Sequence, residues 1–181
     1  MIRIMNEACE GGKVISLYIN EDDSSKFIFG RIICVGKEHI AIGLISPMGN
    51  YDGFLAVQTE RVLRLEMDDQ YSLSMQKLYL HNEILYVDLS AYGENIIESL
   101  LLYAMEQGKI VQLELCDSGR DDVAGFIEMI DDSLCKIKQV SIYGEKDGYS
   151  FVPIHNITRV YCDSEDEQKL LKLYKANNDV E

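Results

Sequence analysis

The sequence contains no tryptophan, only two prolines and no run of basic residues. With so little proline and a hydrophobic content of 47 %, long disordered stretches are not expected. Acidic residues outnumber basic ones by 31 to 17, for a net charge of −14. A phosphate backbone is held by Lys and Arg side chains that displace counterions, so this composition weighs against DNA and RNA as partners. The chain also lacks the basic amphipathic face that binds membrane surfaces.

Long apolar runs and paired cysteines are missing as well. No apolar run approaches the roughly 20 residues that cross a bilayer. The first residues, 1–7, are too few and too soon acidic for a signal peptide. The five cysteines form no Cys-x-x-Cys pair, and their odd number favours free thiols in a reducing compartment. These observations predict a cytoplasmic protein.

Motifs of catalysis and metal binding are absent from the sequence. It contains no Gly-x-Ser-x-Gly, P-loop or Gly-x-Gly-x-x-Gly motif. Its histidines, His39, His81 and His155, are not spaced for metal binding, and none pairs with a cysteine. Acidic pairs such as Asp22-Asp23 lack the alternating ligand spacing of a calcium loop and are interpreted as solvated loops. We therefore expect no enzyme activity, no metal site and no cofactor.

The sequence does contain an internal repeat. Residues 30–79 align without a gap on residues 125–174 and share 13 identities. Matched residues are 95 positions apart in this stretch and 96 positions apart upstream of it. The one-residue difference arises in the acidic stretch 20–26, which has the composition of a loop. The matched positions include Gly12-Lys13 with Gly108-Lys109, Gly30 with Gly125, Asp52-Gly53 with Asp147-Gly148, and Arg64 with Arg159. We therefore predict two tandem copies, residues 1–82 and 83–181.

Each copy has the pattern of five short strands flanked by helices. In the first strand Ile15, Leu17 and Ile19 alternate with polar positions, which predicts a half-buried strand. Helices are predicted before the copies at 2–9 and 94–107, and after them near 75–79 and 170–174. The segment Ile84–Leu89, in the join, could be strand or helix. The strands are predicted at 15–19, 26–35, 39–46, 54–57 and 61–67, and again at 111–115, 121–130, 134–141, 149–152 and 156–162.

Glycines punctuate these strands at the same places in both copies. Gly30 and Gly125 interrupt strand patterns, which is typical of a bend or of close backbone approach. The Asp-Gly pairs at 52–53 and 147–148 predict tight hairpin turns, because Asp-Gly supports positive φ angles. Turn chemistry of this kind explains the aspartates without a metal or catalytic role.

Several of these features together resemble the Sm-like family. They are a short helix, the segment Gly12-Lys13-Val14-Ile15-Ser16-Leu17, a strand bent at Gly30-x-Ile32, and a final pair of short strands. The second copy matches from Gly108-Lys109 to Gly125-x-Ile127. The resemblance spans about residues 2–67 and 93–162, and implies that each copy is a small, strongly bent SH3-like barrel of five strands. We therefore expect a mainly β fold with flanking helices, made of two tandem Sm-like barrels related by internal duplication.

The residues with which Sm-like proteins bind RNA are only partly present. The family commonly carries an Asp and an Asn after the second strand, but neither 35–39 nor 130–134 contains the Asn. Between the last two strands its bacterial RNA chaperones carry Lys-His. Here His155 matches that His, Ile154 replaces the Lys, and Glu60 stands at the matching position of the first copy. Under an RNA-binding hypothesis, the candidate contacts are His155 and Arg61.

The main functional prediction is a non-catalytic cytosolic interaction module that binds a protein partner or associates with itself. Open edges of small barrels readily accept another strand. Tyrosines, Tyr143 and Tyr149 among them, could populate a binding surface, although most have core-like spacing. The alternative is a divergent Sm-like RNA-binding protein. Acidity and the missing motif residues predict no appreciable binding of generic RNA at physiological salt.

Overall fold

A computed structural model describes residues 1–79, 87–131 and 133–178. Four helices occur in it: α1 (Ile2–Glu10), α2 (Gln70–Tyr79), α3 (Ile96–Glu106) and α4 (Glu165–Asn178). The first copy holds β1 (Val14–Tyr18), β2 (Ile28–Val35), β3 (His39–Ile45), β4 (Tyr51–Gln58) and β5 (Arg64–Glu66). The second holds β6 (Ile110–Leu115), β7 (Val123–Ile130), β8 (Leu134–Val140), β9 (Lys146–Pro153) and β10 (Ile157–Cys162). Short 3-10 turns span Thr59–Arg61, Leu89–Tyr92 and Ile154–Asn156.

The ten strands form one open antiparallel sheet. Its order is β5-β1-β2-β3-β4-β10-β6-β7-β8-β9. The expectation of a mainly β fold with flanking helices is confirmed. Two separate small barrels are not shown, because the sheet runs without a break from the first copy to the second through β4 and β10.

The two copies have the same strand order and the same pairing register. In the first copy β1 pairs with β2 so that Ile15 lies opposite Gly30. In the second, β6 pairs with β7 so that Val111 lies opposite Gly125. Each copy therefore repeats the order fifth-first-second-third-fourth strand, as the sequence repeat predicts.

The Asp-Gly pairs do not form the hairpin turns expected of them. The chain reverses instead at 46–50, where the Ser46 N–H donates to the Asn50 carbonyl at 2.9 Å. Asp52 and Gly53 lie inside β4, where the register shift places them opposite one residue of β3. Gly53 has φ +78°, the left-handed conformation of a bulge glycine. A bulge and a tight turn both need positive φ, so the residue pair alone could not separate them.

Helix α3 joins the two halves of the core. Its residues Leu100, Leu101 and Ala104 are fully buried. They belong to one apolar cluster with side chains from β3 and β4 of the first copy and from β6, β7 and β10 of the second. A second cluster packs α1, through Met5 and Ala8, against the strands of the first copy. The copies are thus packed on a shared helix as well as joined through the sheet.

The strand glycines Gly30 and Gly125 lie at close backbone approaches, as predicted. A Cβ on Gly30 would collide with the carbonyl oxygen of Gly43 on β3. A Cβ on Gly125 would collide with the carbonyl group of Lys138 on β8. Neither carbonyl can withdraw without disturbing the strand pairing around it.

Gly30→Ala and Gly125→Ala are each expected to lower the free energy of unfolding by about 1–3 kcal/mol, because the added methyl group overpacks the sheet. Urea denaturation measures the loss. Gly43→Ala is the matched control, since its Cβ would meet its nearest neighbour, Ile33 Cγ2, at 3.6 Å, an ordinary contact. Its effect should stay within about 0.5 kcal/mol. Equal losses at Gly30 and Gly43 would contradict the close approach.

The segment Ile84–Leu89 was predicted to be either strand or helix, and its first half, residues 84–86, lies outside the described residues. Leu89 at its end begins a short 3-10 turn. Among the described helices, none is long and apolar enough to cross a membrane.

Candidate functional site

The outermost strand of the second copy, β9, exposes two large aromatic side chains. Tyr149 is 54 % exposed and Phe151 is 60 % exposed. They are two residues apart and so lie on one face of the strand. The turn before β9 adds Ile142 and Tyr143, which are 79 % and 70 % exposed. Because β9 pairs only with β8 among the described strands, its other backbone edge is open.

Lysines on β8 lie beside these aromatics. Lys136 is paired opposite Phe151, and Lys138 opposite Tyr149. The Lys136 ammonium lies 4.3 Å from the centroid of the Tyr149 ring. We call these four residues, Lys136, Lys138, Tyr149 and Phe151, the β9 surface. It combines exposed rings with positive charge in a chain that is acidic overall.

The charges of the β9 surface have partners nearby. Lys136 Nζ lies 2.8 Å from Glu128 Oε2, and the hydrogen bond to that carboxylate raises the pKa of Lys136. The pKa of Lys138 is raised too, because its ammonium hydrogen-bonds Tyr174 of α4. Both lysines therefore stay charged through the physiological pH range.

The same positions are buried in the first copy. Phe54 and Ala56 of β4 are the counterparts of Tyr149 and Phe151, and both are 0 % exposed. The Phe54 ring lies 5.5 Å from the ring of Tyr103 on α3. The edge of β4 that corresponds to the free edge of β9 pairs with β10, and Ala56 lies opposite Val160. A position that forms a contact between the copies in the first repeat is thus left open in the second.

Arg61, one of the two candidate RNA contacts, is held in an ion-pair cluster between the copies. Its Nη1 lies 2.9 Å from Glu114 Oε1 and 3.4 Å from Asp117 Oδ1. Glu114 is fully buried and also contacts Arg159 at 3.0 Å. The Arg61 side chain is only 22 % exposed. Its charge is therefore already compensated by carboxylates of the second copy.

His155, the other candidate, lies in a different cleft. It is exposed, and the cleft is lined by Glu38, His39, Asn95 and Glu98 among others. Burial lowers the pKa of His39, which disfavours a positive charge on its ring. The structure thus places Arg61 and His155 in separate clefts that both contain carboxylates.

Groups for covalent or metal chemistry are scattered in the described part of the chain. It contains no cluster of three His, Cys, Asp or Glu residues that could hold a metal ion. The cysteines are free thiols. Cys135 and Cys162 are buried, and burial raises the pKa of Cys135 to about 12, so that it stays a neutral thiol.

No protein-family model matches the chain, and the searches of curated proteins and of solved structures return no significant match. The site is therefore identified by its geometry. Sequence reasoning noted Tyr149 as a possible surface residue and missed Phe151, Lys136 and Lys138. A usable signal was present in the repeat, since Ala41 and Ala56 are replaced by Lys136 and Phe151 at matched positions.

Proposed function

We propose that the chain is a non-catalytic cytosolic interaction module, built from two Sm-like copies, that binds a protein partner at the β9 surface. The observation that carries the proposal is the difference between matched positions. Phe54 and Ala56 of the first copy are covered by helix α3 and strand β10 of the second copy, whereas Tyr149 and Phe151 are exposed beside an open strand edge.

The mode of binding that fits this surface is strand addition. A partner in extended conformation can form main-chain hydrogen bonds with the free edge of β9. Its side chains then lie on the rings of Tyr149 and Phe151, since aromatic residues are enriched in the centres of protein interfaces. Lys138, whose ammonium hydrogen-bonds Tyr174 while Lys136 is paired with Glu128, favours a partner that carries acidic residues.

A selection from a displayed library of random peptides on the immobilised natural protein tests this proposal. The selected peptides are expected to bind Phe151→Glu about tenfold or more weakly, since the substitution places a charge in the contact. Met48→Glu is the matched control, because Met48 is an apolar residue of the first copy that is 76 % exposed in a turn. In an extended peptide every second backbone N–H faces the edge of β9. Methylation of those nitrogens in a selected peptide should also abolish binding, because strand addition uses their N–H groups. Peptides that bind Phe151→Glu as well as the natural protein would overturn the proposal.

The RNA-binding alternative is weaker, because Arg61 is neutralised by Glu114 and Asp117 and lies apart from His155. A titration with labelled single-stranded RNA at low and moderate salt compares the two functions. Binding at micromolar concentration that falls with added salt and with His155→Ala would put the RNA function first.

A further inference from the structure

The two open edges of the sheet are the counterparts of the two strands that join the copies. Inside the chain, β4 of the first copy pairs with β10 of the second. The edge strands β9 and β5 correspond to β4 and β10 by the repeat. We propose that a second copy of this chain places its α1 and β5 against the β9 surface of the first, and so repeats the β4–β10 joint between molecules. This inference rests on the proposed function, for which it names the partner.

The internal register gives the pairs that would meet between molecules. Across the β4–β10 joint, Ala56 lies opposite Val160 and Phe54 opposite Cys162. Their counterparts place Phe151 opposite Leu65 and Tyr149 opposite Met67. Both new pairs are apolar. The exposed rings of β9 would thus be covered by side chains that are only partly buried in the single chain.

The charges at the two edges are complementary. In the internal joint the Tyr51 hydroxyl donates to Asp163 at 3.4 Å. The counterparts of these two residues are Lys146 and Asp68, which carry opposite charges.

Helix α1 supplies a second complementary charge. In the internal joint the ring of Tyr103 on α3 lies against Phe54. The counterparts of these residues are Glu7 on α1 and Tyr149, and Lys136 already lies over the Tyr149 ring. Glu7 of one molecule would therefore lie near Lys136 of the next and share that ammonium with Glu128, which lies 2.8 Å from it. This opposite charge favours association of the two unlike edges over association of like edges.

The backbone at the β9 edge has room for the approach. At Gly53, a Cβ would collide with the backbone of Asp163 and Ser164, so the internal joint depends on a glycine there. Its counterpart Gly148 has no atom within 4 Å of the place where its Cβ would lie. That free space is where the backbone of residues 68–69 of a second molecule would pass.

One contact of the internal joint has no ionic counterpart. Arg61 and Glu114 correspond to Asn156 and Tyr18, which are uncharged. The contact between molecules should therefore be weaker and reversible. Because it joins two different surfaces, each molecule keeps one free edge, and the assembly grows as a ring or an open filament.

Complementary edge variants test the proposal. Phe151→Glu disables the β9 edge, and Glu7→Lys with Asp68→Lys disables the α1 and β5 edge. All three residues are exposed. Asp68→Lys removes the 2.6 Å ion pair of Asp68 with Lys13, but exposed pairs of this kind contribute little to stability, so the fold should be kept, and circular dichroism checks it. Sedimentation measures the mass of each protein alone and of an equimolar mixture, at concentrations up to about 1 mM, which detects even a millimolar dissociation constant.

The natural protein is expected to form species larger than a dimer as its concentration rises, with Met48→Glu behaving alike. Each edge variant alone should remain a monomer, and their mixture should stop at a dimer, because only one good pair of edges remains. A natural protein that stays monomeric, or edge variants that assemble as it does, would overturn the inference. Selected peptides that still depend on Phe151 would then leave the proposed function standing with another partner.

Discussion

Replacement of Phe54 by alanine is expected to lower the free energy of unfolding by about 3–5 kcal/mol. The ring is fully buried at the joint between the copies, where it lies 5.5 Å from the rings of Tyr51 and Tyr103. Its removal leaves a cavity that neither α3 nor the paired strands β4 and β10 can close. Chemical denaturation followed by circular dichroism measures the loss.

The matched control is Tyr149→Ala, the same position in the second copy. Tyr149 is 54 % exposed, and the ammonium of Lys136 lies 4.3 Å from the centroid of its ring. Its loss should cost less than about 1 kcal/mol, because cation–π contacts at exposed sites are weak. Equal losses of stability from Phe54→Ala and Tyr149→Ala would contradict the structure, because they would mean that this position is equally buried in both copies.

Glu114→Gln is expected to destabilise the fold by about 3 kcal/mol, the lower end of the range for a broken buried ion pair. Glu114 is fully buried and faces Arg61 at 2.9 Å and Arg159 at 3.0 Å. Its Oε1 also accepts the backbone N–H of Gly119 at 3.0 Å. The amide keeps the size of the side chain but leaves two guanidinium groups without their shared counter-charge. We expect the lower end of the range because the Arg61 and Arg159 side chains are 22 % and 16 % exposed, so that solvent can reach their charges.

Arg120→Ala provides the comparison for Glu114. Arg120 pairs with Asp122 at 3.0 Å but is 81 % exposed, and surface pairs of this kind contribute at most about 1 kcal/mol. Thermal and urea denaturation of both variants should separate them clearly. A Glu114→Gln protein as stable as Arg120→Ala would mean that solvent compensates the two arginines.

Local elements of the fold could be predicted from the sequence, because they depend on patterns within a few residues. Alternation along residues 15–19 predicted the first strand, which lies at Val14–Tyr18, but its half-burial was wrong, because Ser16 and Tyr18 on the expected polar face are buried too. The repeat predicted the order of elements in the second copy. The glycines at 30 and 125, each inside a strand pattern, correctly predicted bends or close backbone approaches, since a side chain at either position would collide with the neighbouring strand. The Asp-Gly pairs were misassigned because a bulge and a turn make the same demand on φ.

Long-range features could not be read in this way. The pairing of β4 with β10 joins residues about a hundred positions apart, and the sequence of neither strand indicates which strand it pairs with. For the same reason Arg61, which motif comparison places in a possible RNA contact, is in fact occupied by Glu114 from the other copy. Phe151 looked like an ordinary strand residue until the structure showed that its counterpart Ala56 is covered and Phe151 is not.

The β4–β10 joint has a further consequence, because both of its strands belong to one chain. A covalent link gives each half a high effective concentration near the other, of millimolar order for short linkers. Even a contact of modest intrinsic affinity is then closed almost all the time, at any dilution of the protein. The same pair of surfaces on separate chains would instead respond to how much protein the cell makes. Tethering therefore turns a concentration-dependent contact into a fixed part of the architecture.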